Sequence, residues 1–187
     1  MKSKWIEKKL NYDGSQLRSL FAYLDHGVLG DSIVSWAGPC DVDLDHMVDG
    51  EDVLAGSSIK AKLMLHFVIE KFETKLFSAV ALQRLFAEII IAHIKQTTQK
   101  SEIALALVRC GDDIYYKNKK FNISIATVSP SSALIHFAVN IDGTGAPVET
   151  LSLAELGTKN TEAFSKAVMD QFCAEVQSME RACQKVK

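Results

Sequence analysis

The sequence predicts an α+β fold, a mixed and mostly antiparallel sheet packed against a long central helix, in one domain over residues 1–187. Three observations predict it. Segments of strand character outnumber those of helical character, and several follow one another directly instead of alternating with helices. Residues 75–96 carry an unbroken helical pattern that is apolar on nearly every side. Residues 109–141 read as three consecutive strands separated by turn chemistry.

In chain order, residues 5–12 read as a first strand, ended by the turn Asp13-Gly14-Ser15. Leu17, Leu20, Phe21 and Leu24 then have helical spacing, and His26-Gly27 closes that segment. Residues 31–38 form a second strand with Ile33, Val34 and Trp36. Residues 40–58 are acidic and irregular. Asp41, Asp43, Asp45, Asp49 and Asp52 match carboxylate positions of a calcium loop, but His46 stands where its glycine belongs and Asp52 where its bidentate glutamate belongs. A solvated acidic loop is the better account, and the spacing around His46 fits no closed zinc pattern.

Residues 63–72 give a strand with Leu65, Phe67 and Ile69 on one face and His66 and Glu70 on the other. The helix at 75–96 belongs in the centre of the fold, with Glu88 and His93 paired or at its edge. Residues 103–110 read as a strand, followed by the Gly111-Asp112 turn and a short strand at 113–116. Gly143 and Gly145 of the 142–147 loop do not open a helix, so no dinucleotide fingerprint is present. Residues 151–157 suggest a single helical turn. Thr161 then caps an amphipathic helix over 161–185, with Phe164, Val168, Phe172, Val176, Met179 and Cys183 in its stripe.

The hairpin at 120–141 gathers the polar groups suited to chemistry. Phe121, Ile123 and Ile125 share one parity; Lys120, Asn122 and Ser124 share the other. On the return strand Ile135, Phe137, Val139 and Ile141 are apolar, and His136 and Asn140 alternate with them. A hairpin that buries both apolar faces puts Lys120, Asn122, Ser124, His136 and Asn140 on one surface. That surface is either a ligand site or the wet face of an antiparallel sheet.

A net charge of −2 disfavours nucleic acid or an anionic membrane as the main partner. The charged N-terminus is unlike a secretory signal, and no apolar run reaches the ~18 residues of a membrane span. Four scattered cysteines without a C-x-x-C pair suggest reduced thiols and a cytoplasmic location. Walker, G-x-S-x-G and H-E-x-x-H motifs are missing, and neither a cofactor nor a metal is identified. A small-molecule ligand is expected. The alternative to catalysis is a non-enzymatic binding or interaction module, with a homodimer through the C-terminal helix or a free sheet edge.

The stretches YDGSQLRS (12–19), GVLGDS (27–32), RCGDDIY (109–115) and NISIATVSP (122–130) resemble domain-of-unknown-function family 366, a largely archaeal group, over nearly the whole chain. The resemblance implies a fold like that of the biotin and lipoate protein ligases, which share a core with class II aminoacyl-tRNA synthetases. It implies that Asp112-Asp113 takes the place of the ligase asparagine–aspartate turn. Lys120 would take the place of the lysine that meets the acyl carboxylate and α-phosphate, and His136 would lie on the return strand. On that basis Lys120, His136 and Asp113 are the candidate catalytic residues, for acyl transfer or ligation, with Asp112 or Asp113 orienting His136 or holding a cation. Asn122, Ser124, Asn140, Arg18, Asp31, Asp112 and His66 are the candidate ligand contacts. The chain departs from the ligases where they carry an arginine- and glycine-rich loop: MVDGEDVLAGSSIK is acidic, which disfavours an unshielded phosphate.

Overall fold

The computed structural model describes residues 1–98, 102–146 and 148–187, so Pro147 of the 142–147 loop lies outside the described residues. In chain order the elements are β1 (Lys2–Trp5), α1 (Phe21–His26), β2 (Ser32–Val42), α2 (Gly50–Ala55), β3 (Ile59–Phe72), α3 (Leu76–Thr97), α4 (Glu102–Leu105), β4 (Val108–Cys110), β5 (Asp113–Tyr116), β6 (Lys119–Lys120), β7 (Asn122–Val128), β8 (Ser132–Asp142) and α5 (Thr161–Cys183). The main sheet runs β1-β2-β3-β8-β7, and β4-β5-β6 form a second, small sheet. β1 pairs with β2 in parallel; the other pairings are antiparallel. The fold is therefore α+β with a mixed, mostly antiparallel sheet.

Strand alternation divides the main sheet between two cores. Ile33, Leu65, Phe67, Ile69, Ile135, Phe137 and Val139 face α3 and α5, where Phe86 meets Phe67, Phe137 and Phe172 edge-on at ring distances of 5.0–5.2 Å. Val34, Trp36, Met64, Val68 and Ala138 face the other way, onto Ile6, Tyr12, Phe21 and Ala22 from the N-terminal segment. The second face is thus covered by chain, and is not the wet side of a sheet. By length and composition α3 is apolar enough to cross a bilayer, although Gln83, Arg84, Glu88 and His93 interrupt it. Here its buried face packs on the sheet and α5.

Several boundaries differ from expectation. The first strand is Lys2–Trp5, not 5–12. After Ile6 the chain leaves the sheet and crosses its second face, meeting β2 again through the Tyr12–Cys40 bridge. In the 103–110 segment only Val108–Cys110 is extended; Glu102–Leu105 is helical, because alanine and leucine favour a helix over a strand when a helix can bury them. The acidic stretch is partly ordered: β2 continues to Val42, Asp49 caps α2 by accepting from Glu51 N, and β3 begins at Ile59. Residues 153–157 form turns without a helix. The cap of α5 is Asn160, whose side chain accepts from Ala163 N, and not Thr161.

A candidate ligand cleft and its histidine pair

The small sheet, the start of β7 and the acidic segment enclose a cleft of about 480 Å³. Lys120, Asp112, Asp113, Asn122, Ser124 and Asn140 line it over a floor that includes Met64 and Ile123. The Lys120 ammonium pairs with Asp113 at 2.8 Å, both side chains partly accessible, and the Tyr115 hydroxyl donates to the same carboxylate at 3.2 Å. Burial raises the Tyr115 pKa, so the phenol keeps its proton.

The polar wall is held by bonds internal to the protein. Asp112 accepts from Ser124 Oγ at 2.6 Å and from Gln83 Nε2 at 2.9 Å. Gln83 also donates to Ser124 at 2.7 Å, closing a triangle that fixes the Asp112 turn and β7 to α3. Asn122 accepts from Ile114 N and donates to Asp112 O. Asn140 donates to Lys120 O and Leu151 O. The two asparagines therefore clamp backbone, and among the lining side chains the ammonium groups of Lys120 and Lys60, each with one carboxylate partner, keep N–H donors to offer a ligand.

His136 lies elsewhere. Across the hairpin Ile125 is opposite His136 and Ser124 opposite Phe137, so Asn122 and Ser124 point to the α3 side and His136 to the other. The expected common surface for these three side chains does not form. Its premise was a single buried face; both faces are buried, and Ile123 packs against the second core. Nor do Asp112 and Asp113 orient His136. Its partner is His66, with His136 Nε2 and His66 Nδ1 3.1 Å apart and His66 Nε2 3.1 Å from Gly38 O. Tyr12 stacks on His136 with ring centroids 3.6 Å apart and planes 6° apart, and Trp36 stacks on His66. Burial lowers the His66 pKa to about 4 and holds His136 well below the ordinary histidine value. Both imidazoles are neutral at pH 7.

A narrow slot of about 50 Å³ adjoins the cleft, sharing Asp49, Asp52, Ile59, Ile123 and Ser124 with it and reaching Tyr12 and His136. Three predicted contacts fall outside both: Arg18, Asp31 and the fully buried His66. Arg18 donates from one nitrogen, Nη2, to both carboxylate oxygens of Asp25 at 2.9 Å and lines a separate N-terminal cavity. Asp31 accepts from Lys71 Nζ and Phe72 N, and Lys71 also meets Glu180 of α5, which makes Asp31 a tie at the sheet end. Cys110 is exposed on β4, away from the buried His136. Sequence reasoning missed Tyr12, which looked like the end of a strand. It also missed Gln83, whose signal was a polar side chain among the apolar residues of α3.

The fold has known counterparts. A protein of unknown function from Pyrococcus horikoshi superposes with a TM-score of 0.86 at 34% identity, over 99% of this chain and 98% of that one. The Aquifex aeolicus biotin protein ligase in complex with biotin and ATP gives 0.60 at 12% identity, over 96% and 72%. Lipoate-protein ligase A bound with ATP gives 0.53 at 13%, over 95% and 86%. At such identities the likeness shows a shared fold, biotin/lipoate ligase-like. The family profile described as Domain of unknown function (DUF366) matches residues 1–187, and the chain belongs to that family.

Proposed function

We propose that the cleft binds a small acyl ligand through its carboxylate, with Lys120 as the cationic contact, in the service of acyl transfer or ligation. The observation that carries this is the Lys120–Asp113 pair: a partly exposed ammonium on the wall of a cleft, with one carboxylate partner and N–H donors to spare. The ligase-like fold supports it, since the structurally similar ligases were solved with biotin or ATP. Asp49, Glu51 and Asp52 on the rim disfavour a bare nucleotide phosphate, so a ligand without a nucleotide is the preferred form. A second reading, binding without catalysis, is favoured by the internal engagement of Ser124 and both asparagines, which leaves few donors for a developing oxyanion.

Thermal unfolding tests the proposal with octanoate, lipoate, biotin and ATP, each with and without magnesium. A ligand at a hundredfold excess over its Kd adds about 2.7 kcal/mol, a rise of roughly 5–10 °C for a chain of this size. An acyl acid should raise Tm in the wild type and not in Lys120→Ala. A rise only with ATP and magnesium would instead indicate adenylation, and no rise with any acid would refute the proposal. Consumption of an octanoyl thioester in a single turnover separates transfer from binding.

A further inference from the structure

The histidine pair has a fixed protonation pattern that follows from geometry. Gly38 O is an acceptor only, so His66 Nε2 carries a hydrogen. A neutral His66 then has a bare Nδ1, which needs a donor from His136 Nε2. A neutral His136 in turn has a bare Nδ1. That nitrogen makes no hydrogen bond to a described residue, although His136 is 2% exposed and lines the slot. Tyr12, 3% exposed, stacks on the same ring and lines the slot as well. Burial raises its pKa, so its hydroxyl is protonated, and it too has no partner among the described residues. Two nearly buried side chains that line the slot thus carry one acceptor and one donor, both uncharged. Asp49 and Asp52 at its edge disfavour anions.

We propose that this slot holds an uncharged hydrogen-bonding group of the ligand, an amide or a hydroxyl, with His136 Nδ1 accepting from it and the Tyr12 hydroxyl donating to it. The inference deepens the cleft reading and rests on it for the rest of the ligand, whose acyl carboxylate lies at Lys120. His136 acts here by contact, and His66 is a positioning residue that sets its tautomer through Gly38.

Nitrogen-15 spectra of the imidazoles in the full-length protein at pH 7 provide the test, with propionamide, propionate and propylammonium as probes. Both histidines should show the Nε2–H tautomer. Propionamide should shift the His136 Nδ1 resonance saturably, and Tyr12→Phe should weaken its binding at least fivefold; propionate should produce no shift. Lys120→Ala should leave the propionamide response intact while abolishing stabilisation by acyl acids. If the acids fail to stabilise the wild type but propionamide still binds, the cleft reading falls and the slot stands. An imidazolium or an Nδ1–H tautomer at His136 would overturn the inference, as would no saturable shift in the wild type, or a shift with propylammonium alone.

Discussion

At His66 and His136, burial removes the protonated ring from the pH range in which histidine ordinarily titrates. The unfolded chain binds protons at both rings as pH falls below about 6.5. The folded chain resists until about 4 at His66. Stability from these rings is therefore complete above about pH 6.5 and is lost as pH falls toward 4. Urea midpoints measured at pH 7.5, 6 and 5 should decline in that order, and the decline should be smaller in His66→Gln, whose amide can still bridge Gly38 O and His136. Lys120 behaves differently. Its pair with Asp113 is partly exposed and worth about 1 kcal/mol or less, so Lys120→Ala should barely move the ligand-free Tm. A drop of many degrees would mark the lysine as structural.

At the scale of elements, the second core depends on how closely the 6–12 segment approaches β2. A Cβ on Gly38 would lie 1.8 Å from Leu10 O, the same oxygen that accepts from the Trp36 indole at 3.0 Å. Gly38→Ala must push this segment away, shifting Tyr12 off the histidines. A loss of about 2–4 kcal/mol is expected by chemical denaturation, the range for overpacking combined with a lost buried hydrogen bond. The contrast between β3 and β7 shows what the sequence makes legible. Alternation within β3 placed His66 and Glu70 opposite Leu65 and Phe67, because one strand's parity is local. The relation between β7 and β8 is not local. Ile125 meets His136 because a second core exists to receive Ile123, and that core is built by Tyr12, Phe21 and Trp36 from far upstream. Of the candidate site, Asp112-Asp113 and the role of Lys120 come from the ligase resemblance, and the three residues lie close enough in the chain for short turns to bring them onto one wall of the cleft. The stacking of Tyr12 on His136 spans most of the chain and left no periodic trace.

At the scale of the molecule, one aromatic side chain joins the layers. Phe86 of α3 touches Phe67 and Phe137 of the sheet and Phe172 of α5, and is fully buried. Phe86→Ala should cost about 3–5 kcal/mol, seen as a lower urea midpoint with an unchanged slope. The triangle of Gln83, Ser124 and Asp112 rises from the same helix. Displacing α3 thus displaces the wall of the cleft. Glu70, 3% exposed on the second face, receives the Leu20 N–H on both oxygens and the Ser132 hydroxyl on one, with Leu20 held at φ 64°. One carboxyl group thereby latches the lid-like N-terminal layer to the far end of β8. Tyr12 itself is pinned to β2 by its own backbone, donating to Pro39 O and accepting from Asp41 N, so release at that distant corner would free the Leu20 turn while the roof above the histidines stays in place.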